Sequence, residues 1–351
     1  MLDTSADRPV QEKSLTWKEV ALAAGVSPTT ASLAMNNHPR VAACTRQRVA
    51  EAAAKLGFVN NRAARRLARS RGNSRTPACF EQIGLMYVTT NQFGIDPACV
   101  AMMRGAEHEL ATAADACLLF VHIDHKEGME RAHRLVRSGL IDGWLISGAI
   151  GDEVIASLQR LGVPHVIIGD HLCTRPIHAV NVDYAGASRM AVAHLAELGH
   201  RRIGFLGGKL EFTYQLQSLD GFRAGLKEAG IEMDETLVIR RKSVKEWLHD
   251  LGGYRPTAIV CSEPAGGRIL RQMVSEFGFD VPRDMSLITF ELAGEKATPP
   301  DLTRLELPLD EVGRHGAMLL QRVVREPRLA SSDMKLAATF IDRGSMCRAG
   351  G

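Results

Sequence analysis

The residues whose types and spacing point to a definite chemistry lie in the stretch Ser14–Leu67. Thr16 and Glu19 have the spacing of a capping box. In a capping box the side chain of each residue accepts a hydrogen bond from the backbone N–H of the other. Ser27 followed by Pro28 is a second helix start, because proline at the first helical position loses no hydrogen bond. Two short helices around a glycine turn form a helix-turn-helix, whose second helix enters the major groove of DNA. The chemistry predicted here is hydrogen bonding to a nucleic acid.

Three helices must position these groups. The pattern predicts helices over residues 17–24 and 28–35, with Gly25 breaking the chain between them. Two helices alone do not bury a core, and a third is predicted over 45–56, where Val49 and its helical neighbours present an apolar face. A head of this size is small but workable when other contacts support it.

Charge divides the chain in the same way. Residues 1–75 contain 13 Lys and Arg and 5 Asp and Glu, a net charge of +8, although the whole chain carries only +3. The remaining residues contain 30 basic and 35 acidic side chains, a net charge of −5. A basic head on an acidic body suits a polyanion bound at one end only. A solvated basic face is the commoner meaning of such a charge run, and the helix-turn-helix pattern favours the DNA interpretation over it.

The ordered run of motifs resembles the LacI/GalR (lactose-repressor) family of bacterial transcription regulators, over residues 15 to about 347. The motifs that carry the resemblance are VALAAGVSPTTAS, the pair Arg40-Val41, TRQRV at Thr45–Val49, and KLGF followed by NNRAARRLA.

The resemblance implies a set of DNA-binding residues. Pro28, Thr29 and Leu33 are expected to face the bases, with Leu33 against a thymine methyl group; the alternative is that Leu33 belongs to the core of the head. Leu67 is expected to be a wedge that a hinge helix inserts in the minor groove, and the alternative is that it packs on the head. The further residues expected to contact DNA are Thr16, Ser27, Thr30, Ser32, Asn36, Asn61, Arg62 and Ala64.

From residue 83 onward, apolar strands alternate with amphipathic helices in two series, which predicts parallel sheets covered on both faces. Strands are expected over 83–88, 117–123, 143–147, 164–169, 202–208, 236–240, 257–262 and 286–290. Helices are expected over 97–111, 128–137, 153–161, 184–198, 219–229, 245–251, 265–277 and 309–325. The predicted fold class is an all-α helix-turn-helix head joined to an α/β core of two lobes with two parallel sheets, like a periplasmic binding protein.

The expected organisation follows from these elements and the resemblance. We expect a disordered tail at 1–14, the head at 15–59, the hinge helix and a linker at 60–80, and an effector-binding and dimerisation core at 81–347. The first lobe is expected to comprise about 81–180 and 309–327, and the second about 181–308 and 331–347. The linker 70–80 is about eight residues longer than is usual for the family.

The resemblance also implies an effector site between the lobes, at the carboxyl ends of strands. Its expected residues are Phe93, Asp170, Tyr214, Ser218, Ser262, Glu263 and Glu291. Ser218 stands where relatives commonly have a clamping arginine, and Ser262, Glu263 and Glu291 also depart from the usual residues. The effector is expected to be a sugar-like or other small metabolite.

Other classes of protein fit less well. No glycine-rich phosphate loop with the required spacing follows a strand, and no serine has the context of a nucleophile elbow. We therefore expect no catalytic residues, no metal site and no cofactor, although His122 and His125 resemble a ligand pair. The seven scattered cysteines and the polar first fourteen residues favour a reduced cytosol without export or a membrane span. An α/β enzyme stays as the remote alternative.

The expected function is sequence-specific regulation of transcription, with repression as the output. The partners would be a double-stranded, pseudo-palindromic operator, a small-molecule effector and a second copy of the chain, with a tetramer as the alternative assembly. The expected location is the bacterial cytoplasm, at the nucleoid when bound. Control by a protein co-factor, or regulation without a ligand, remains the alternative.

Overall fold

The computed structural model describes residues 17–35, 38, 40–56, 82–89, 96–113, 116–124, 141–148, 150–171, 173–208, 213–240, 256–262, 270, 280–293 and 302–350. The chain forms two compact units, residues 1–75 and residues 76–351, which are described separately. The predicted tail, hinge helix and linker lie outside the described residues. So do the predicted helices at 128–137 and 245–251 and all of that at 265–277 except Leu270.

The first unit contains the three predicted helices, α1 (Trp17–Ala24), α2 (Pro28–Met35) and α3 (Ala43–Leu56). The third begins two residues earlier than predicted, because the carbonyl of Ala42 already accepts hydrogen bonds from the N–H groups of Thr45 and Arg46. The three helices share a small core of buried alanine and valine side chains. These are Val20, Ala21, Ala24, Ala31, Ala34, Val41, Val49, Ala52 and Ala53.

The second unit alternates strands and helices, as the two apolar series predict. Its strands are β1 (Gln82–Thr89), β2 (Cys117–Asp124), β3 (Gly143–Gly148), β4 (His165–Ile168), β5 (Ala179–Val182), β6 (Ile203–Gly207), β7 (Val238–Arg240), β8 (Ala258–Cys261), β9 (Ser286–Leu292), β10 (Thr303–Leu307), β11 (Asp333–Leu336) and β12 (Thr339–Ile341). Its helices are α4 (Pro97–Ala113), α5 (Asp152–Leu161), α6 (Tyr184–Glu197), α7 (Thr213–Glu228) and α8 (Leu309–Arg325), with a 3₁₀ turn at Glu235–Leu237.

The strands form two six-stranded sheets, and each sheet is the centre of one lobe. The first sheet has the order β11-β5-β4-β3-β1-β2 and the second the order β12-β10-β9-β8-β6-β7. All neighbours pair in parallel except β10 and β12, which are antiparallel. Helices α4, α5 and α8 belong to the first lobe, and α6 and α7 belong to the second. The predicted fold class is confirmed.

Two predicted lobe boundaries are wrong. The predicted second lobe includes residues 331–347, but Asp333–Leu336 pairs with β5 at the edge of the first sheet. Three of its four side chains are exposed, so no apolar pattern marked it as a strand of either sheet. Residues 181 and 182 also belong to the first sheet, because β5 continues to Val182. Within the predicted segment 331–347, β12 pairs with β10 and so belongs to the second sheet.

Two further elements differ from their predicted form. Helix α7 begins at Thr213, six residues before the predicted start, because polar residues such as Gln215 and Ser218 occupy its buried face and conceal the apolar period. Strand β10 (Thr303–Leu307) was not predicted. Its buried Arg304 interrupts the apolar run that would have marked a central strand.

Within the described residues the chain passes between the lobes at three places. These are Asp183 between β5 and α6, Pro308 between β10 and α8, and residues 337–338 between β11 and β12. The N–H of Asp183 donates to the carbonyl of Leu336 at 2.8 Å, which joins the first and third passages. Short connections of this kind let two lobes rotate while each keeps its own packing.

Glycines allow the helices within each lobe to pack closely. A Cβ added to Gly313 on α8 would lie 1.8 Å from the carbonyl oxygen of Met102 on α4, and one on Gly105 would lie 1.9 Å from that of Asp310. In the second lobe, a Cβ on Gly221 of α7 would lie 2.1 Å from the carbonyl oxygen of Ala185 on α6. The helix pairs α4–α8 and α6–α7 are therefore in backbone contact at these points.

Candidate nucleic-acid interface and interlobe cluster

The turn between α1 and α2 fixes the start of the candidate recognition helix. Gly25 has a φ of 63°, a left-handed conformation that favours glycine, and its N–H donates to the carbonyl of Leu22. The next residue, Val26, is partly buried against the core of the head and holds the turn on the helices. Ser27 then caps α2: its Oγ accepts from the N–H of Thr30 at 3.0 Å, as the sequence predicts.

The first turn of α2 presents polar and small groups to solvent. Ser27, Pro28 and Thr29 are exposed, whereas Thr30 and Ser32 are partly buried. The hydroxyl groups of Ser27 and Thr30 lie 2.8 Å apart in a hydrogen bond. Hydroxyl groups on an exposed helix N-terminus can reach phosphate oxygens or base edges.

Leu33 occupies an intermediate position. It is partly buried and packs against the core of the head, while Ala31 and Ala34 on the same helix are fully enclosed. Contact of Leu33 with a base and its alternative place in the core therefore both stay predictions. One part of the side chain contacts the core and the rest faces solvent.

Within its described residues, the same unit carries five basic side chains on other segments. Lys18, Arg40, Arg48 and Lys55 are exposed, and Arg46 is partly buried. Such side chains are suited to neutralising phosphates, which positions a protein on the duplex without reading its sequence. The remaining expected DNA-binding residues lie outside the described part of the chain. They are Thr16, Asn36, Asn61, Arg62, Ala64 and Leu67.

The second candidate site contains Asp170, Tyr184 and Tyr214, which we call the interlobe cluster. Asp170 follows β4 of the first lobe, and Tyr214 lies in the first turn of α7 in the second lobe. The N–H of Tyr214 donates to Oδ2 of Asp170 at 2.9 Å. The ring of Tyr214 lies 5.4 Å from that of Tyr184, the first residue of α6. Asp170 and Tyr184 follow strands of the first sheet and Tyr214 follows a strand of the second, so all three lie beyond the carboxyl ends of strands.

The electrostatics of the cluster follow from burial. Desolvation raises the pKa of Asp170 to about 6, against the hydrogen bonds from the main-chain N–H groups of Tyr214, His171 and Thr213. Its Oδ1 is buried without a hydrogen-bond partner among the described residues. Burial also raises the pKa of Tyr184, with the nearby charge of Asp170 adding to the effect.

Two more predicted effector residues lie on the same side of the second lobe. Ser262 and Ser218 are fully buried. Oγ of Ser262 donates to Oε1 of Gln215 on α7 at 2.8 Å, and Oγ of Ser218 donates to the carbonyl of Tyr214 at 2.7 Å. The hydroxyl of Ser218 is thus engaged within its own helix, which is the usual bond of a serine in a helix interior.

Glu291 lies on the other face of the second sheet. Its neighbours Phe290 and Leu292 belong to the apolar cluster that also holds side chains of α6 and α7, so the alternation of a strand turns Glu291 away from that cluster. Its carboxylate forms an ion pair with Arg304 of β10 at 3.4 Å, and both side chains are more than nine-tenths buried. The structure therefore gives Glu291 a partner within the sheet. Phe93 and Glu263 lie outside the described residues.

Three residues of this region were not predicted. Tyr184 is buried beside Asp170, Gln215 accepts from Ser262, and Tyr87 at the end of β1 packs under α4. The pKa of Tyr87 is raised by burial and then by the charge of Asp96, which also raises that of Tyr184. Their positions could have identified them. Tyr87 lies near the end of a strand, and Tyr184 and Gln215 lie in the first turns of helices that follow strands, which is where the sites of open α/β sheets lie.

The described residues contain no group of three or more His, Cys, Asp or Glu side chains arranged to hold a metal ion. His122 is exposed on β2, with its ring 6.1 Å from that of Tyr87, and His125 lies outside the described residues. In the part of the chain that the structure describes, every helix is too short or too polar to cross a membrane.

Models of known families match both units. Residues 16–61 match the bacterial regulatory proteins of the lacI family. Residues 82–262 match the periplasmic binding proteins and sugar binding domain of the LacI family, and residues 192–346 match a periplasmic binding protein-like domain. The chain belongs to the LacI family of bacterial transcriptional regulators.

Individual relatives agree with this assignment. The chain is 28% identical to the HTH-type transcriptional repressor CytR of Escherichia coli K12, over 95% of this chain and 97% of that protein. It is 29% identical to the regulator CelR of Thermobifida fusca, over 87% and 90%, and 30% identical to AglR of Rhizobium meliloti, over 78% and 77%.

Solved structures share the fold. A lac repressor dimer bound to operator and the anti-inducer ONPF superposes with a TM-score of 0.72 at 21% identity, covering 95% of this chain and 100% of that one. A complex of the transcriptional regulator CelR with cellobiose gives a TM-score of 0.66 at 24% identity, covering 94% and 99%.

Proposed function

We propose that this chain is a sequence-specific regulator that binds a pseudo-palindromic operator as a homodimer and represses transcription. The observation that carries the proposal is the capped, exposed first turn of α2 on a buried three-helix core. The net charge of +8 over residues 1–75 supplies attraction to phosphates. Two copies related by a two-fold axis would place two such helices on two half-sites.

The residues proposed to read bases are Pro28, Thr29 and the exposed part of Leu33, because base edges specify the sequence. Ser27, Thr30, Ser32 and Asn36 are proposed to hold phosphates. In the hinge, Leu67 is proposed to enter the minor groove, supported by Asn61, Arg62 and Ala64, while Thr16 binds the backbone at the start of α1. Operator affinity lost with Leu67→Ala, with weaker DNA bending, is the test of the wedge.

The test of DNA binding is a gel-shift series with DNA selected from a random library, using the full chain and residues 76–351 alone. The full chain is expected to bind with an affinity that falls linearly with salt on logarithmic axes, and the fragment is expected not to bind. Thr29→Ala is expected to alter the selected sequence, at about 1–3 kcal/mol per lost base contact. Gln47→Ala, on the exposed face of α3, is the matched control and should select the same sequence as the parent.

DNA binding by residues 76–351, or binding without salt dependence, would contradict the proposal. A library selection that returns no common sequence would limit the protein to non-specific binding. Either result is visible without knowledge of the natural operator.

We further propose that a small molecule binds between the lobes and modulates DNA binding. The interlobe cluster supports this with a buried carboxylate oxygen and two tyrosine rings at the carboxyl ends of strands. Ser218, Ser262, Phe93, Glu263 and Glu291 remain candidates of lower rank, since Ser218 and Glu291 have partners within their own elements. The class of effector is sugar-like or another small metabolite, and the protein would act in the cytoplasm.

Thermal-shift screening of metabolites tests this second step. A ligand at 100 times its dissociation constant stabilises the folded protein by about 2.7 kcal/mol, which is readily detected. Asp170→Ala should remove the shift for any ligand that also changes operator affinity. A screen without shifts, combined with capture of a bacterial protein that alters operator affinity, would favour control by a protein co-factor.

A further inference from the structure

The first turn of α7 receives its negatively charged partner from the other lobe. The free N–H groups at a helix N-terminus favour a carboxylate, and α7 has no acidic residue in its own first turn. Oδ2 of Asp170 accepts from the N–H of Tyr214 at 2.9 Å, and the N–H of Thr213 also bonds to this carboxylate. Asp170 belongs to the first lobe and α7 to the second. The cap therefore spans the two lobes.

The backbone before Asp170 aims the carboxylate across the gap. Gly169 has a φ of 85°, and its Cα lies against Met102 of α4, where an added Cβ would be 3.1 Å from the sulfur. The turn that directs Asp170 out of the first sheet is thus held by close packing within the first lobe. The backbone of Asp170 is thus positioned within the first lobe, and its carboxylate oxygen accepts from the second.

We propose that Asp170 is a latch between the lobes: its carboxylate caps α7 and so holds the lobes together. The latch opens when the carboxylate is removed by substitution or when a ligand binds it in place of the N–H groups of α7. The three short passages of the chain between the lobes permit a change of angle, and the latch is a contact that such a change would break. Two discrete arrangements, capped and uncapped, are what a lobe movement needs in order to act as a switch.

The latch has a consequence for ligands that rests on the proposed effector function. A ligand group that binds Oδ2 of Asp170 must replace the N–H groups of Thr213 and Tyr214, whereas one that binds Oδ1 finds an acceptor without a partner among the described residues. Ligands of the first kind would loosen the lobes, and ligands of the second kind would leave the latch closed. The latch itself needs no ligand and no DNA.

Amide hydrogen exchange at residue resolution on the full chain tests the proposal. The N–H groups of Thr213 and Tyr214 lie in the first turn of α7, where no carbonyl of the helix accepts from them. Their protection therefore reports the latch. We expect Asp170→Ala to speed their exchange at least tenfold, while Asp170→Asn, which keeps an acceptor oxygen, should retain the protection.

Asp183→Ala is the matched control, because Asp183 caps its own helix. Oδ1 of Asp183 accepts from the N–H of Gly186 at 2.9 Å, within α6. This variant should speed exchange at Gly186 and leave Thr213 and Tyr214 unchanged. A second variant approaches the latch from the other side: Thr213→Pro removes one donor at the first helical position, where proline is tolerated. With one of the two α7 donors removed, the carboxylate is held less firmly, so exchange at the N–H of Tyr214 should speed.

Equal exchange at Thr213 and Tyr214 in the parent and in Asp170→Ala would overturn the latch. If Asp170→Ala instead loses protection throughout the second lobe, the residue is a general support of the fold. In that case Thr213→Pro decides: unchanged protection of Tyr214 overturns the latch, and local loss supports it. None of these outcomes depends on whether the protein binds an operator or an effector.

Discussion

The head and the two-lobed core bury different kinds of side chain. All nine residues of the described head core are alanine or valine. The largest fully buried side chains of the second unit include Trp144, Phe205, Phe222 and Phe290. Burial of apolar area contributes about 25 cal/mol per Å², so the head gains little from its core and depends more on caps and turns. The core depends on close contacts between segments far apart in the sequence.

The largest expected difference between the two regions concerns glycine. Gly313→Ala places a Cβ 1.8 Å from the main chain of Met102, so α4 and α8 must separate. We expect a loss of about 3 kcal/mol in the unfolding free energy of the core, at the upper end for overpacking. This exceeds the gain of about 1 kcal/mol that alanine brings to a helix. Chemical denaturation followed by tryptophan fluorescence measures it, with Trp17 and Trp247 replaced by phenylalanine so that Trp144 is the only emitter.

Gly25→Ala in the head is the counterpart. No atom lies within 4 Å of its added Cβ, and only the left-handed φ of 63° opposes alanine, which costs about 1–2 kcal/mol. Gly162 is the control within the core, since it has a φ of 64° and equally open space. Gly162→Ala should resemble Gly25→Ala. If Gly313→Ala is no more harmful than these two, close packing is not what distinguishes the regions.

The second difference is in buried charge. Desolvation raises the pKa of Asp170 to about 6 from its ordinary value of 3.8, so the folded protein binds a proton that the unfolded chain releases between these values. Its ionisation therefore destabilises the fold as the pH rises through 6. Asp170→Asn keeps an acceptor without the charge. At pH 7.5 we expect it to raise the unfolding free energy by about 2–3 kcal/mol, at 1.36 kcal/mol per pKa unit.

The gain should shrink as the pH falls below 6 and vanish near pH 4. The titratable groups facing Asp170 do not reverse this sign. Burial raises the pKa of Tyr184, which therefore stays neutral, and burial lowers the pKa of His171, which therefore gains charge only in acid. Asp96 is the other carboxylate close to Tyr184. A gain from Asp170→Asn that is the same at pH 7.5 and pH 4.5 would show that charge is not its cause.

Sequence alone predicted the head better than the core, because its signals are local. The cap at Ser27, the turn at Gly25 and the helical period of α3 each lie within a few residues of what they control. Several elements of the core can be recognised only from their contacts with residues distant in the sequence. Strand β11 is recognisable only through its pairing with β5, and β10 only once Arg304 has Glu291 as its partner. The same holds for Asp170, whose acceptor role depends on a helix 43 residues later at Thr213.

Leu33 tests whether the head separates stability from recognition. Leu33→Ala removes a partly buried side chain, so we expect the head to lose about 1 kcal/mol of stability, below the 2–5 kcal/mol of a full core truncation. If the exposed part contacts a thymine methyl group, the selected DNA sequence also changes. Leu22→Ala is the control, since Leu22 is 84% exposed on α1 and should change stability by less than about 0.5 kcal/mol.

A stability loss of 2 kcal/mol or more with an unchanged DNA sequence would make Leu33 a core residue. Thermal unfolding of the head and library selection on the same variants provide both readings. Because Leu33 lies on the same helix as Thr29, a shift in sequence preference at a neighbouring base pair would distinguish the two contacts.

Ser27 gives the smallest expected effect and the finest separation, because two roles are proposed for one hydroxyl. Ser27→Ala removes the acceptor for the N–H of Thr30 and should cost the head about 1 kcal/mol. Ser27→Asp keeps an acceptor and adds a negative charge at the N-terminus of α2, which has no acidic residue in its first turn; this charge stabilises a helix by about 0.3–1 kcal/mol. Head stability should therefore rank aspartate first, then serine, then alanine.

Operator affinity should rank serine first and aspartate last, because a carboxylate repels the phosphate that the hydroxyl is proposed to hold. If affinity instead follows stability, with aspartate equal to serine, Ser27 acts only as a cap, and the phosphate contact belongs to other residues of the first turn.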